Sequence, residues 1–477
     1  MKHDVIIIGA GPAGLFAAEK IINSNKKLSV LVIDKGKDVP ERKCPTYRKD
    51  NSCSICTPCN ISFGVGGAGG LSDGKLNLHH KIGMNIEELD IKKERAHKLI
   101  EYIDALFLKF GADKKLYGTS SKEIEQLMKR TEKVNQIIKE SSRKNSNGNK
   151  KAGVSLIPNI VRHMGSDNTP KIIANFKKGL EKKGVIFELN TEIEKIIANK
   201  GFHLISGNKV YESTYLIVAP GRAMSYWFRE EATRLGIVHN FGEIDVGVRI
   251  ELLAKDYSEV TDLIYCPKFH IYTPSYGDKV RTFCTNPGGE VTSEQSSSMI
   301  LVNGHAKSNE KTKNTNFALL CTIDLTGPQA DTTHYGINIA KFVNFISGEK
   351  PLIQTLGDLK NGHRSTKEKI AKNKVKPTLK GCNPGDIGMA LNYRITKNIL
   401  ETLDILDKIV PGVAKDSTLI YAPEIKFYDT KYTTTRDLET NIKNLFVAGD
   451  GVGKSRGIVG AALTGIIAAE GILKKAR

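Results

Sequence analysis

Long apolar runs are largely missing from this 477-residue sequence. No unbroken stretch reaches the ~18 apolar residues that a membrane-spanning helix needs. The N-terminal run Val5–Ile8 is too short for the hydrophobic region of a secretory signal and fits a core strand. Toward the other end, Ile458 to Leu473 is apolar but broken by Gly460, Gly465 and Glu470, which is the pattern of a buried helix. A cytoplasmic chain without a membrane span is the expectation. Acidic residues are also in short supply: 52 Asp and Glu stand against 71 Lys and Arg, a net charge of +19. Such a surplus attracts anions in general. The lysines are nevertheless dispersed, with no long run and no arginine-rich arm to follow a phosphate backbone, so nucleic acid is not an expected partner. Cysteine is rare except in one place. Four of the eight, Cys44, Cys53, Cys56 and Cys59, share a short stretch, and a chain without a secretory signal does not use such a group as a disulfide scaffold.

What the sequence does contain is concentrated in Asp4 to Asp34. An apolar run, Val5–Ile8, leads into Gly9-Ala10-Gly11-Pro12-Ala13-Gly14. A helix rich in small residues follows, and a second apolar run, Leu28 to Ile33, ends on Asp34. This is a strand–turn–helix–strand unit with a dinucleotide fingerprint at its turn. Gly9 makes the tight turn, Gly11 admits a pyrophosphate against the backbone, and Gly14 lets helix and strand pack closely. Pro12 and Ala13 open the helix, whose N-terminal N–H groups and positive dipole end favour phosphate. Asp34 lies about 20 residues past the last glycine, where a carboxylate takes ribose hydroxyls. Lys35 and Lys43 lie in the polar loop beyond it.

The rest of the chain supports an α/β architecture: a Rossmann-like nucleotide domain, with a parallel sheet and an antiparallel meander, a second mostly β substrate domain, and a helical insertion. The nucleotide domain is expected over 1–82, 154–239 and 386–477, the insertion with its exposed loop over 83–153, and the β-rich domain over 240–385. Gly66, Gly67, Ala68, Gly69, Ser72, Asp73 and Gly74 form a second glycine-rich loop. It lacks a clean preceding strand and a following helix, so it reads as backbone pressed against something flat or anionic rather than as a second dinucleotide site. In the insertion, Leu99, Ile103, Leu106 and Phe110 recur at helical spacing, as do Ile124, Leu127, Val134 and Ile137. Thr169-Pro170 reads as an N-cap followed by proline at the first helical position. Short strands around Ile193, turns at Lys200-Gly201 and Gly207-Asn208, and a strand ending in Ala219-Pro220-Gly221 complete the first sheet. Near the end, Leu445–Ala448 runs into Gly449-Asp450, and a small-residue helix starts near Gly457-Ile458.

The pairing of Asp4–Gly14 with Leu445–Asp450 resembles FAD-dependent oxidoreductases of the glutathione-reductase-like superfamily. More narrowly, the chain resembles a family of uncharacterised bacterial and archaeal FAD-dependent dehydrogenases. The matching segments are Gly66–Leu76, Arg162–Asp167, Ala219–Gly221, Gly247–Glu251, Arg281–Gly289 and the C-terminal motif. The resemblance implies bound FAD, with Asp450 on the ribityl chain and the helix after Gly457 aimed at the flavin pyrimidine ring. One departure is Lys454-Ser455-Arg456, where similar proteins often carry glycine and aromatic residues. It implies two cations near the flavin.

Flavin chemistry asks little of protein acids, and no residue is assigned a catalytic role. His163, His305, His363, Cys284, Cys382, Arg249 and Arg281 are candidates for lining a substrate site. Trp227 has two readings, core residue or cofactor cover. The spacing of Cys44, Cys53, Cys56 and Cys59 also leaves alternatives: four ligands for zinc or an iron–sulfur cluster, a redox dithiol of Cys56 and Cys59, or ordinary thiols. The functional expectation is an FAD-dependent oxidoreductase moving hydride or electrons between flavin and a small substrate. NAD(P)H, lacking a second glycine fingerprint, would be a transient reductant. Two other readings stand beside it: a flavoprotein acting on RNA, as in tRNA modification, and an electron-transfer flavoprotein relaying through a cysteine-bound centre.

Overall fold

The computed structural model describes residues 2–45, 56–144, 151–296, 299–307, 310–323, 325, 331–427 and 430–476. Strand Lys2–Ile8 lies at the centre of a seven-stranded sheet, parallel to Val30–Ile33 on one side and to Lys209–Val218 on the other. Ile186–Glu188 extends the sheet beyond Val30–Ile33, and Leu445–Val447 adds in parallel to the end of Lys209–Val218. The antiparallel part is the meander Lys195–Ala198, Phe202–Ser206 and Lys209–Val218. Its turns fall at Lys200-Gly201 and Gly207, all at positive φ, where the sequence calls for them.

The two faces of the central strand show why its apolar run is unbroken. Val5 and Ile7 pack with Phe16, Ala17 and Ile467 from two helices, while Ile6 and Ile8 pack with Phe202, Leu204 and Tyr211 from the meander. A strand covered on both sides needs apolar residues at every position. Helix Pro12–Ser24 lies against the C-terminal helix Gly457–Lys475, and small residues set the separation. A Cβ on Gly465 would come within 2.0 Å of the Ala13 carbonyl oxygen. By length and composition the C-terminal helix is apolar enough to cross a membrane, but 78% of its most apolar window is buried in this core. Phe16 also meets Phe176 edge-on at 5.0 Å and Phe107 at 5.4 Å, joining three helices. Truncating such a side chain to alanine costs about 3–5 kcal/mol.

The second sheet has eight strands in the order Asn383–Pro384, Leu352–Thr355, Leu419–Lys426, Ile244–Leu253, Asn314–Ile323, Lys279–Pro287, Lys268–Tyr272 and Gly153–Ile157. All neighbours are antiparallel except the first pair. A hairpin of Glu290–Ser296 and Met299–His305 projects beside it.

This topology moves three borders expected from sequence. Strand Gly153–Ile157 belongs to the second sheet, as does Leu419–Lys426. Helix Tyr393–Ile409 packs there too, through Ile395, Ile399 and Leu403. The segment from 386 to 427 therefore joins the β-rich body instead of the nucleotide domain. The insertion is not one body either. Helix Lys93–Lys109 buries Ile100, Ile103 and Phe107 in the nucleotide core, whereas Ser121–Lys144 buries Ile124, Leu127 and Val134 on the second sheet. Helical periodicity reports that a face is buried but does not say against which partner. The next helix begins at Thr169, whose hydroxyl donates to the Gly165 carbonyl at 2.7 Å instead of capping, with Pro170 in the first turn.

Candidate functional site

Three backbone segments meet at the N-terminus of helix Pro12–Ser24. Gly9 turns the chain at φ 103°, and a Cβ there would lie 2.1 Å from the Ala219 carbonyl oxygen. A Cβ on Gly14 would lie 1.9 Å from the Gly9 oxygen. Both glycines are fixed by packing. Gly11 differs: its nearest neighbour would be the Gly67 Cα, 3.9 Å away. It caps a helix with no side-chain cap and no acidic residue in its first turn. Unsatisfied N–H groups therefore face the space above it.

Asp34 holds this junction together. Its Oδ2 accepts from Ala10 N, and its Oδ1 accepts from both Gly36 N and Gly64 N, each at 2.8 Å. The carboxylate expected to take ribose hydroxyls thus already serves three backbone N–H groups, leaving part of Oδ2 for anything else. Arg42 does the same for carbonyls. Buried to 4% exposure, its guanidinium donates to the oxygens of Asn60, Val65, Ile61 and Gly67 at 2.5–3.0 Å. Burial lowers its pKa to about 10, against the opposing pull of Asp34. Lys43, the neighbour singled out from sequence, is exposed. The signal missed was a charged residue too short of partners in the sequence to be read as buried.

The glycine-rich loop closes onto this frame. Gly66 N donates to Ala10 O at 2.8 Å, and Ala68–Leu71 forms one 3-10 turn. At Gly69 a Cβ would touch Ile458 and Pro12, at 3.1 and 3.4 Å. Lys35 pairs with Glu192 at 2.6 Å. From the C-terminal side, Asp450 accepts from Ser455 Oγ and from Gly457 N, each at 2.9 Å. Gly457 has φ 75° with nothing within 4 Å of where a Cβ would be, and the helix it starts has no side-chain cap.

These segments border a cavity of about 1680 Å³. Of the residues singled out from sequence, Gly9, Gly11, Pro12, Ala13, Asp34 and Lys35 line it. So do Gly67, Ala68, Gly69, Ser72 and Asp73, then Ile193, Ala219 and Gly221, and finally Gly449, Asp450, Gly457 and Ile458. Gly14, Lys43, Gly66 and Gly74 do not; Gly14, Gly66 and Gly74 serve packing. The opposite wall is the second sheet.

Where the two bodies meet, a buried polar cluster joins them. Asp73 and Lys75 form an ion pair at 2.7 Å, and Lys75 Nζ reaches on to Thr285 O at 2.5 Å and Asn286 Oδ1 at 2.7 Å. Burial would raise the Asp73 carboxyl, but Lys75 and His163 hold it below the usual carboxylate range. For Lys75, burial works against the charge and Asp73 outweighs it, so its pKa rises. Beneath them Arg249, fully buried, makes two 2.7 Å bonds to Glu424 and one of 2.8 Å to Asn316 Oδ1. Cys284 sits at φ 45° in the bulge between Phe283 and Asn286, with its sulfur 3.6 Å from Lys75 Nζ. A cysteine held in the left-handed region at a cavity wall is a strained residue of the kind found at functional sites. Sequence reasoning assigned no role to Lys75 or Asn286, because their partnership spans 211 residues.

The isolated candidates separate clearly. His305, Cys284 and Arg281 line the cavity, and His163 is stacked on Tyr265 at 4.4 Å. His363 is exposed, and Cys382 bonds to Leu379 O within a separate cluster. Trp227 lines the cavity and donates to Glu194 O at 3.2 Å. Of the two cations in Lys454-Ser455-Arg456, Arg456 borders the cavity and Lys454 does not. Cys44, Cys56 and Cys59 line the cavity, and Cys53 lies outside the described residues. Among the described residues no three His, Cys, Asp or Glu side chains gather as metal ligands, so Cys44, Cys56 and Cys59 do not by themselves form the metal centre that was one of the three readings of this stretch.

Comparison with known proteins falls on both bodies. Residues 244–426 match the family model "FAD-dependent protein, C-terminal domain-like", running from strand Ile244–Leu253 to strand Leu419–Lys426 of the second sheet, and residues 4–51 match a lycopene cyclase protein model. Over its second body the chain is thus similar to the C-terminal domain of FAD-dependent proteins. An uncharacterized protein of Clostridium beijerinckii is 24% identical over 506 aligned positions, covering 100% of this chain and 81% of the relative. Among solved structures, glycine oxidase from Geobacillus kaustophilus is 13% identical, covers 99% of this chain and 95% of its own, and gives a TM-score of 0.42. L-proline dehydrogenase from P. horikoshii is 12% identical, with 99% and 94% coverage and a TM-score of 0.40. Likenesses at such scores carry no argument about substrate.

The residues present fit FAD. The Gly11 face and the Gly457 face are both open where a side chain would otherwise intrude, and both belong to uncapped helix N-termini on one cavity. Typical ligand pockets enclose roughly 300–1,000 Å³, so the space accommodates a dinucleotide together with a small substrate.

Proposed function

We propose that this protein is an FAD-dependent oxidoreductase, transferring hydride or electrons between FAD and a small organic substrate lodged against the second sheet. The observation that carries the reading is the continuity of one cavity from the fingerprint helix, past Gly449–Ile458, to the wall containing Phe283 and Cys284. Gly11, Pro12 and Ala13 would hold the pyrophosphate on the open helix N-terminus. Gly67–Gly69, Ser72 and Asp73 would face the cofactor with backbone and short side chains. Asp450 would meet the ribityl hydroxyls, and the N–H groups after Gly457 would meet the pyrimidine edge. When bound, a flavin supplies the capacity to accept a hydride or single electrons.

The chain's own contribution is placement and field. The N-terminal end of a 19-residue helix favours negative charge in the cavity. Lys75, fixed by Asp73 and Asn286, keeps a positive charge at the boundary of the two bodies. The buried wall behind it, with Arg249 and Glu424 fully enclosed, excludes water and strengthens every electrostatic interaction there. With a single glycine fingerprint, any nicotinamide reductant is a transient visitor to the same cavity.

The test is Asp450→Ala. Removing the carboxylate should lower FAD retention at least tenfold while the thermal midpoint of the protein without FAD moves little. An unchanged flavin content would show that the terminal motif does not hold the cofactor.

A further inference from the structure

Three cations of the second sheet surround one aromatic ring in the cavity wall. The Lys268 ammonium lies 5.1 Å from the Phe283 ring centroid, the Arg281 guanidinium carbon 4.9 Å and the Lys426 ammonium 6.0 Å. All four residues line the cavity, yet Lys268 and Lys426 are only 6% and 4% exposed. A buried charge normally has a charged, hydrogen-bonded partner. Arg281 has Asp245, with Nε at 3.0 Å from Oδ2. Lys426 has Glu424 at 3.2 Å, but that carboxylate is already engaged twice by Arg249. Lys268 has no carboxylate within ion-pair distance among the described residues; its bond is to Cys266 Sγ, at 3.1 Å.

The surrounding groups extend the imbalance. Lys279 also lines the cavity without an ion pair among the described residues, and Glu294 faces the same space from the projecting hairpin. Among the described residues neither Lys268 nor Lys279 has a carboxylate within ion-pair distance, whereas Arg281 and Lys426 do. The field is visible on a neighbour: His270, on the strand of Lys268, is pushed down to about 3 by burial and then by Lys279, Arg281 and Lys268. Such a wall is incomplete without an anion.

We infer that the substrate carries a carboxylate, and that this group docks among Lys268, Arg281 and Lys426, with the Phe283 ring supporting the adjoining carbon skeleton. Lys268 is the anchor, since it is the buried cation with the least to hold. This assignment deepens the proposed function and rests on its placement of FAD at the other end of the cavity.

The experiment is calorimetric titration of the purified, flavin-containing protein with benzoate and with succinate. Benzamide and inorganic phosphate serve as controls of charge and shape. At least one carboxylate should bind and benzamide should not. Lys268→Met, which keeps the length and loses the charge, should weaken binding tenfold or more, and Lys268→Arg should restore most of it. Lys426→Met provides a second neutral variant should Lys268→Met fail to fold. The inference is overturned if neither carboxylate binds, if phosphate binds and they do not, or if the neutral variants bind as tightly as the parent. Visible absorbance of each sample reports flavin separately. A colourless protein that still binds benzoate through Lys268 contradicts the flavin placement and leaves the anion site standing.

Discussion

Lys75 of the nucleotide-binding body reaches Asn286 of the second sheet, Nζ to Oδ1 2.7 Å, while its charge is met by Asp73 at 2.7 Å. This joint fixes the cavity's two walls relative to each other. Lys75→Met would leave the Asp73 carboxylate buried without its cation, a change that costs about 3–5 kcal/mol. Removing both charges, as Asp73→Asn with Lys75→Met, should recover much of that loss. Denaturant midpoints of the two single variants and the double variant provide the check.

Arg42 and Lys43 are adjacent cations with opposite expected sensitivities. Arg42→Met orphans up to four backbone carbonyls of the loop 60–67, each worth about 1–3 kcal/mol if left buried and unpaired, though not additively. It should lower both the unfolding midpoint and FAD retention. Lys43→Ala should change neither by more than about 0.5 kcal/mol. Unfolding and flavin content measured on both proteins distinguish them.

The glycines of the fingerprint should also separate. Gly9→Ala and Gly14→Ala drive a methyl group to 2.1 and 1.9 Å from backbone oxygens, so the soluble folded protein should be lost. Gly11→Ala meets nothing closer than 3.9 Å and should fold, with weakened FAD binding as its main defect. Expression level, circular dichroism and FAD titration report the two outcomes.

Acid should destabilise the protein before its carboxylates titrate. His163 is lowered to about 4 and His270 to about 3, burial being the largest cause in each. The folded values lie below the unfolded ~6.5. The stability these two histidines contribute is therefore complete above about pH 6.5 and falls as pH drops through 5 toward 4. Each contributes a slope of up to ~1.4 kcal/mol per pH unit in that window. His270→Asn should remove its share of the slope, which denaturant titrations at pH 7, 5.5 and 4.5 would detect.

The central strand, the fingerprint turn and the terminal Gly449-Asp450 were legible because each depends on neighbours in sequence. Val5–Ile8 declares a two-sided core by its unbroken apolar run, and Gly9 and Gly14 declare close packing by lacking a Cβ. The borders of the second body were not legible: Leu419–Lys426 pairs with Ile244–Leu253, and nothing local to either names that partner. The same limit hid Arg42 as a carbonyl clamp and Lys75 as the bridge to Asn286. It also hid the acceptor work that Asp34 does for Ala10, Gly36 and Gly64, which depends on where three loops come together.

The most direct measurement of the central claim is the visible absorption spectrum of the purified full-length protein, with FAD quantified after denaturation. The account predicts the two-band spectrum of an oxidised flavin at about one FAD per chain, either as isolated or after reconstitution. A folded protein that remains colourless after incubation with excess FAD would contradict it.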